Sequence, residues 1–391
     1  MNTQSLLWLV ALVTMLGPFS IDTYLPAFPD IESVLNVDRE AISHTLGLYL
    51  LAFGFGALLW GPLSDRWGRR PIILLGLSIY IMASLLAAKA QDIHLLWGAR
   101  WFQGLGASAC FVAARAMVRD VLPPEQAHRL MARVMLLFAS APAIAPIIGG
   151  WLDTWWGWRS VFFFLALYGT FVWVLQLFTS ETLTPERRHD APWRKVFFSY
   201  GQALRVGAFL QYVLLAALSF EGLFLFIAGA PNLLSDQLHL TPTEYIWQFG
   251  PTVLGLMAGA QLSSYLAGHL TRSSTVGIGL ILMTISVLLG GFLYQLSGLT
   301  LWVIVTPLII YAAGLAVMMP AVSILVLDSL PHQRGLASSL QSFVQMSGNA
   351  MVASLLVPML HGHSLSSYLM WQGLFAVTAF LLWWHSHHQS Y

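Results

Sequence analysis

The chain of 391 residues is 57% hydrophobic, and only 9% of its residues are charged. Because about a quarter of the residues in a soluble domain are charged, this composition excludes an ordinary water-soluble fold and indicates many membrane spans. The formal net charge of +1 gives no electrostatic basis for a nucleic-acid partner, and the single cysteine, Cys110, excludes an intrachain disulfide.

Twelve stretches of the sequence are long and apolar enough to cross a hydrocarbon core of ~30 Å, which takes about 20 residues. We therefore predict an all-α membrane protein whose twelve transmembrane helices lie near 5–29, 42–61, 72–91, 95–117, 130–151, 159–179, 209–230, 246–267, 275–296, 300–321, 336–358 and 366–385. The first stretch is too long for a signal peptide and shows no small-residue cleavage site, so we interpret it as a retained span.

The longest polar interruption covers residues 180–207 and divides the spans into six and six. We predict an N-terminal six-helix bundle over 1–179, a linker over 180–207 and a C-terminal six-helix bundle over 208–391. With both termini in the cytoplasm, most of the 18 lysines and arginines lie on the cytoplasmic side. That distribution satisfies the positive-inside rule and makes the linker cytoplasmic.

The second and third spans are joined by a short polar segment, Gly61-Pro-Leu-Ser-Asp65-Arg66-Trp-Gly68-Arg69-Arg70-Pro71. Gly61 and Gly68 predict tight backbone geometry. Asp65 is placed to face a helix N-terminus, and Arg69 is placed to pair with Asp120 at the inner end of span 4. The alternative is that the arginines only orient the chain. The candidate functional residues here are Gly61, Asp65, Arg66, Gly68, Arg69 and Asp120, which the family resemblance given below implies to be a cytoplasmic gate.

Two residues of opposite charge, Asp22 in span 1 and Arg100 in span 4, lie about 10 Å and about 9 Å below the outer surface when counted at the helical rise. A charge at mid-bilayer costs about 2.5–3.5 kcal/mol on insertion scales, and such residues usually face a cavity or a partner. Burial disfavours a charged carboxylate and a nearby arginine favours it, and proton coupling needs that balance. We predict that Asp22 and Arg100 couple transport to protons; a static ion pair is the alternative.

Glu221 is the acid of the second half that falls within a predicted span, about 18 Å along its helix and therefore near the midplane. It could bind a cationic substrate or a second proton, or it could be a neutral acid in helix packing. Aromatic residues could line an amphiphile-accepting cavity, although most aromatics in membrane helices pack or anchor at the interface. The predicted substrate-binding residues are Tyr24, Tyr49, Phe53, Gln103, Glu221 and Phe224.

Span 5 contains two prolines four residues apart, followed by a pair of glycines. The prolines remove two backbone hydrogen bonds, and the glycines allow close helix contact. We predict an interdomain hinge or sliding surface here, with ordinary tolerance of these residues in membrane helices as the alternative. The hinge residues are Pro142, Pro146, Gly149 and Gly150.

Several chemistries are excluded by the sequence. Neither of the two lysines, Lys89 and Lys195, follows a glycine, so a G-x-x-x-x-G-K-[ST] phosphate-binding loop cannot form. The spans contain no metal-ligand cluster and no nucleophile–base pair, and we expect neither an enzyme nor a cofactor or metal. The closing His385-Ser-His387-His388 has no cysteine or carboxylate nearby and is predicted to be a solvated tail.

Together these motifs resemble the Bcr/CflA subfamily of drug:proton antiporters within the major facilitator superfamily, and the resemblance covers nearly the whole chain. It implies the major facilitator fold, with alternating access around a central cavity. It also implies proton coupling by Asp22 and Arg100 and gating by Asp65 and Arg69. The resemblance is carried by Ser20-Ile-Asp22-Thr-Tyr-Leu-Pro26-Ala, the Gly61–Arg70 loop, Arg100-Trp-Phe-Gln103-Gly104-Leu-Gly106, Arg119-Asp120, the Ala-Pro/Ala-Pro/Gly-Gly run of span 5, and Glu181-Thr-Leu after span 6.

The resemblance further implies a monomeric exporter of small amphiphilic drugs or antibiotics, driven by the proton gradient across the bacterial cytoplasmic membrane. A dedicated exporter of a metabolite, nucleoside or siderophore is the alternative, since a family likeness sets the class of a protein and not its cargo. One departure is the loop after span 8, Gly268-His-Leu-Thr-Arg272, which lacks the acid of a second signature loop. The sequence therefore does not decide whether the C-terminal half also contains a gate.

Overall fold

A computed structural model describes residues 3–188, 192–331 and 333–389. Residues 189–191 of the predicted linker and the last two residues of the predicted C-terminal bundle lie outside the described residues, as do the side chains of His387 and His388. The long helices are α1 Thr3–Asp22, α2 Arg39–Trp67, α3 Arg69–Ala88, α4 Ile93–Val121, α5 Pro124–Trp156, α6 Arg159–Leu177, α7 Gly207–Ala228, α8 Ile246–Leu266, α9 Arg272–Ser297, α10 Leu301–Asp328, α11 Arg334–Met351 and α12 Leu365–Gln389.

Within the described ranges, nine helical segments are long and apolar enough to cross a membrane. The remaining long helices, α4, α8 and α11, carry more polar residues: α4 contains Arg100 and Gln103, and α11 contains Gln341 and Asn349. A helix that packs among other helices does not need an apolar residue at every position, because part of its surface never meets lipid. The twelve predicted spans thus correspond to twelve long helices.

The chain divides into two compact units, Met1–Phe197 and Phe198–Tyr391, at a boundary inside the predicted linker. In the first unit, α4 packs against α2 and α3, α3 packs against α6, and α1 packs against α4 and α5. In the second unit, α10 packs against α8 and α9, α9 packs against α12, and α7 packs against α10 and α11. These helix pairs recur six places later in the chain, which is a parallel internal repeat.

The repeat extends to a glycine crossing in each unit. A Cβ on Gly76 of α3 would lie 2.8 Å from the carbonyl oxygen of Gly106 in α4. A Cβ on Gly279 of α9 would lie 2.6 Å from the carbonyl oxygen of Gly314 in α10. Real Cβ atoms do not approach so closely, so only glycine permits these two helix pairs to lie this near each other.

The first helix ends earlier than predicted. The α-helix stops at Asp22 and is followed by a 3₁₀ turn, Leu25–Ala27, and a short helix, Phe28–Leu35. Pro26 and Pro29 have no N–H group, so the ladder of i to i−4 hydrogen bonds cannot continue through them. The prediction of one regular span over 5–29 is therefore wrong at its outer end, and Asp22 lies at a helix terminus.

The predicted polar loop between the second and third spans is helical. Helix α2 continues through Gly61 to Trp67, and α3 begins at Arg69, so the two helices are separated by Gly68 alone. The tight turn predicted at Gly61 is wrong, because helix α2 does not end where the apolar sequence ends. Gly68 has φ 104°, a left-handed value that favours glycine, and it makes the turn.

Two further segments differ in detail from the sequence pattern. Helix α5 continues through Pro142 and Pro146 from Pro124 to Trp156, so the prolines do not interrupt it. The predicted linker contains an unanticipated helix, Trp193–Ala203, with Phe197 and Phe198 exposed on its surface.

Candidate functional site

The carboxylate of Asp22 is buried at the C-terminal end of α1. Among the described residues it has neither an ion pair nor a hydrogen bond. The backbone beside it is held by α5, because a Cβ on Gly149 would overlap the carbonyl group of Thr23. Asp22 is thus an acidic group fixed in position by its backbone and not by a partner.

Arg100 is fully buried in α4 and is enclosed by two aromatic rings. Its guanidinium carbon lies 4.7 Å from the centre of the Tyr24 ring and 4.4 Å from that of Tyr49. Its Nη1 donates to Oε1 of Gln103 at 2.5 Å, whereas Nε and Nη2 have no hydrogen-bond partner among the residues that the structure describes. Asp22 and Arg100 do not form the ion pair that their similar depth allowed. The charge of Arg100 instead makes cation–π contacts with the two tyrosine rings. We call Tyr24, Tyr49 and Gln103 the Arg100 cage.

Gln103 connects this cage to α3. Its Nε2 donates to Oγ of Ser84 at 2.8 Å, and Ser84 donates to the carbonyl oxygen of Tyr80 at 2.8 Å. The Tyr80 hydroxyl lies 2.7 Å from that of Ser20, two residues before Asp22. Both ends of the Gln103 amide are therefore engaged in orienting Arg100, and its predicted contact with substrate stays a prediction. The sequence pattern did not single out Ser84 or Tyr80.

The predicted aromatic residues of the first unit lie close to this cage. The hydroxyl of Tyr24 is 2.7 Å from that of Thr45, and the ring centre of Tyr49 is 6.4 Å from that of Phe53. The Phe53 ring continues to Phe111 of α4 at 5.6 Å. The first unit therefore brings Tyr24, Tyr49, Phe53 and Gln103 together around Arg100.

At the opposite end of α4, the predicted pair between Arg69 and Asp120 is confirmed. Nε of Arg69 donates to Oδ2 of Asp120 at 2.8 Å, while Nη1 donates to Oδ1 of Asp65 at 2.5 Å and to Oγ of Ser64 at 2.7 Å. The Arg69 side chain is 7% exposed and that of Asp120 is 15% exposed, whereas that of Asp65 is 50% exposed. We call Ser64, Asp65, Arg69 and Asp120 the Arg69 cluster; Arg66 is exposed beside it.

The N-terminus of α3 is occupied by Glu181 and not by Asp65. Oε1 of Glu181 accepts the backbone N–H of Arg69 at 3.0 Å, and Oε2 accepts that of Arg70 at 3.1 Å. These N–H groups have no partner within the helix, and a carboxylate there also meets the positive end of the helix dipole. A Cβ on Gly68 would overlap this carboxylate. The prediction for Asp65 is corrected; the Glu181-Thr-Leu run, one of the marks of the family resemblance, was the signal that could have identified Glu181.

The second unit contains an equivalent of the Arg69–Asp120 pair. Arg272 begins α9 as Arg69 begins α3, and its Nη1 donates to Oδ2 of Asp328 at 2.8 Å. Arg334 of α11 donates to the other oxygen of Asp328 at 3.1 Å. These side chains are 40–61% exposed, so each pair contributes about 0–1 kcal/mol. The second unit thus retains the arginine–aspartate pair although its loop lacks the additional acid.

Glu221 is buried in α7 against α11. With its amide oriented to donate, Asn349 lies 2.9 Å from Oε1 and 3.1 Å from Oε2 of Glu221. A Cβ on Gly348 would overlap the same carboxylate, and a π-helical segment, Val352–Leu356, follows. Phe224, one turn along α7, packs against Phe220 with ring centres 6.3 Å apart. Asn349 was missed because no sequence pattern marks the partner of a buried acid on another helix.

The close contact made by Gly149 is internal to the first unit. Its partner is Thr23 at the end of α1. Gly149 therefore fixes α5 against α1 within the first unit, and the interdomain hinge or sliding surface stays a prediction. Gly150 is buried, and its carbonyl oxygen accepts a hydrogen bond from Thr154 at 2.7 Å.

In the described part of the chain, no group of three or more His, Cys, Asp or Glu residues could hold a metal ion.

Comparison with known proteins agrees with this architecture. The Major Facilitator Superfamily model matches residues 10–351, and the chain belongs to this family of membrane transporters. Multidrug resistance protein D of Escherichia coli (strain K12) is 30% identical over 388 residues, covering 97% of this chain and 95% of that protein. The bicyclomycin resistance protein homolog of Haemophilus influenzae (strain ATCC 51907 / DSM 11121 / KW20 / Rd) is 28% identical over 351 residues, covering 90% and 88%.

Among solved structures, the D-xylose-proton symporter superposes with a TM-score of 0.76 at 16% identity, covering 98% of each chain. At that identity the likeness shows the fold alone. The predicted fold class, a twelve-helix major facilitator, is confirmed, as is the resemblance to the Bcr/CflA subfamily. The chain is a multi-pass membrane protein.

Proposed function

We propose that this protein exports small amphiphilic drugs or antibiotics in exchange for protons. The observation that carries the proposal is the alignment along 97% of the chain with a protein named for multidrug resistance. The transporter acts by alternating access in the bacterial cytoplasmic membrane, as a monomer with both termini in the cytoplasm. It catalyses no chemical reaction on its cargo, and its small-molecule substrate and protons are its partners.

Asp22 is the residue that binds the coupled proton in this proposal. It is buried, has no ion pair, and lies at the point where α1 gives way to a 3₁₀ turn. A carboxylate in such a position is costly to keep charged, which favours exchange of a proton during the cycle. Arg100 supports the proposal because two of its guanidinium nitrogens lack partners and remain available to an anion.

The Arg69 cluster provides the gate in this proposal. Its arginine connects the end of α2 to the end of α4 through two carboxylates. Charge-assisted hydrogen bonds of this kind are about twice as strong as neutral ones, so the cluster holds three helix ends together in one state. Rearrangement of the cluster accompanies the change of access.

Flux measurements with the purified protein test the proposal. In proteoliposomes with an imposed pH gradient, we expect accumulation of chloramphenicol and of a cationic dye, together with dissipation of the gradient when drug is added. A drug flux that is the same with and without the pH gradient would contradict antiport. The alternative, a dedicated exporter of a metabolite, nucleoside or siderophore, predicts no protection in a drug-susceptibility panel of an efflux-deficient host and raised excretion of that metabolite.

A further inference from the structure

Helix α4 carries a second arginine, Arg115, beyond Arg100. Its guanidinium carbon lies 4.7 Å from the centre of the Phe111 ring, one turn earlier on the same helix. Among the described residues it forms no ion pair and no hydrogen bond. The nearest carboxylate along α4, that of Asp120, is already paired with Arg69.

The contact with Phe111 supplies no hydrogen-bond acceptor for the guanidinium group of Arg115. Ionisable residues in membrane proteins usually pair with one another or face a water-filled cavity. Arg119, one turn further along α4, is also cationic and adds repulsion. An uncompensated charge of this kind is a candidate site for a ligand of opposite charge.

The aromatic rings beside Arg115 form a continuous row. The ring of Phe111 lies 5.6 Å from that of Phe53, whose ring lies 6.4 Å from that of Tyr49, the wall of the Arg100 cage. Arg100 closes one end of this row and is fully buried, whereas Phe111 and Arg115 at the other end are partly exposed. The partly exposed end therefore combines one aromatic ring with a cation that has no ion pair among the described residues.

We propose that Phe53, Phe111 and Arg115 form a binding site for aromatic cargo that carries a carboxylate or sulfonate. The aromatic part of the cargo packs against the partly exposed ring of Phe111, which the buried ring of Phe53 contacts from within the first unit, since aromatic pairs favour offset or edge-to-face contact. Its anionic group accepts hydrogen bonds from Arg115, whose planar fork matches a carboxylate. This inference rests on the proposed export function and names one class of its substrates.

Binding and transport of carboxyfluorescein, an anionic aromatic probe, test the site. With purified protein in detergent, we expect Arg115→Gln to weaken carboxyfluorescein binding, measured by fluorescence polarisation, by about tenfold, which corresponds to about 1.4 kcal/mol. Arg115→Lys retains the charge without the fork and is expected to bind with intermediate affinity. Arg119→Gln, which removes an exposed arginine one turn away, is the matched control and is expected to bind as wild type does.

Chloramphenicol flux in proteoliposomes separates this inference from the export function. We expect Arg115→Gln to transport chloramphenicol, which is neutral, at the wild-type rate. Wild-type protein that transports chloramphenicol but does not bind carboxyfluorescein would overturn the anion site and leave the export function intact. Equal loss of both compounds in Arg115→Gln would assign the arginine a structural role and also overturn the site. Wild-type protein that transports neither compound would overturn the export function itself.

Discussion

Arg69 and Arg100 are both buried arginines, but their charges are stabilised in different ways. Arg69 is paired with two carboxylates and a serine hydroxyl. Arg100 is packed between two tyrosine rings and oriented by a glutamine, and two of its nitrogens remain without partners. A fully paired arginine holds helices together, whereas a partly paired one can accept an acidic group that arrives later.

The Glu221–Asn349 pair allows the role of Glu221 to be tested. If Glu221 recognises charge, Glu221→Gln should reduce export of cationic dyes at least about tenfold while largely sparing chloramphenicol, because at low dielectric an anion attracts a cation far more than a neutral molecule. Efflux of one dye and of chloramphenicol, with a melting temperature for each variant, is the measurement.

The other roles of Glu221 predict different results. A second proton site predicts equal loss for both compounds, and a packing role predicts a lower melting temperature with unchanged selectivity. Asn349→Ala is the companion variant, because it removes the donor to Glu221 and leaves the carboxylate in place. Dye and chloramphenicol export at wild-type rates, with wild-type stability, would exclude any role for this acid.

The sequence identified the charged residues of the site and the Arg69–Asp120 pair, but not all of the uncharged groups around Arg100 and Glu221. Asp22, Arg100 and Glu221 are conspicuous because charge is rare in membrane spans. Ser84, Asn349 and the hydroxyl of Tyr80 are ordinary residues in sequence, and their importance follows from helices that cross far from them in the chain. Equal depth of Asp22 and Arg100 allowed an ion pair, but depth does not specify the rotation of a helix about its axis.

At the scale of the helices, glycines set how closely α4 approaches its neighbours. A Cβ on Gly104 would overlap the backbone of Tyr49 in α2, so the two helices are in direct backbone contact at the Arg100 cage. Gly98 lies on the same helix and has no neighbouring atom within 4 Å of an added Cβ. Alanine at Gly104 therefore tests close helix packing, whereas alanine at Gly98 tests only the helix propensity of glycine.

We predict opposite effects on stability for alanine at these two glycines. Gly104→Ala forces α2 and α4 apart and should cost about 1–3 kcal/mol, as overpacking does. Gly98→Ala relieves the poor helix propensity of glycine and should be neutral or stabilising by up to about 1 kcal/mol. Thermal unfolding in detergent measures both. Equal melting temperatures for the two variants would contradict the close contact between α2 and α4.

Hydrophobic length predicted where the helices are but not where several of them end. The apolar run of the second span ends near Gly61, yet α2 continues to Trp67, because a helix can extend beyond the membrane core through polar residues such as Asp65 and Arg66. The converse error occurred in α1, where the sequence remains apolar past Asp22 but prolines end the regular helix. Membrane thickness limits the apolar stretch, and backbone hydrogen bonding sets the helix boundary.

On the scale of the whole molecule, the two units repeat the same helix neighbours but differ in their charged clusters. The Arg69 cluster is largely buried and has two acids on one arginine. The Arg272–Asp328–Arg334 cluster is exposed and has two arginines on one acid. The repeat was predictable from the six-plus-six pattern of spans. The pairing of Arg272 was missed, although Asp328 lies at the end of α10 as Asp120 lies at the end of α4.

Because of this difference, we predict that the Arg69 cluster contributes more to the transport rate than the Arg272–Asp328–Arg334 cluster does. Arg69→Ala leaves the largely buried Asp120 without its partner and should slow transport at least about tenfold, which is about 1.4 kcal/mol on the barrier, with little change in drug affinity. Asp65→Asn should act in the same direction but more weakly, since Asp65 is half-exposed. Initial rates in proteoliposomes and drug binding in detergent provide the two readouts.

Arg272→Ala is the matched control for the gate, because an exposed pair contributes about 0–1 kcal/mol and its loss should change turnover little. A large loss of drug affinity in Arg69→Ala, with unchanged turnover, would place the cluster in the binding site and contradict its role as a gate.

Proton coupling through Asp22 is the central claim, and ΔpH-driven drug transport by Asp22→Asn in proteoliposomes tests it most directly. Asparagine preserves the size of the side chain and removes its titratable group. We expect this variant to bind drug but to lose transport driven by the pH gradient. Asp92→Asn is the control, since Asp92 caps α4 and asparagine caps a helix equally well. Undiminished gradient-driven transport by Asp22→Asn would contradict the account.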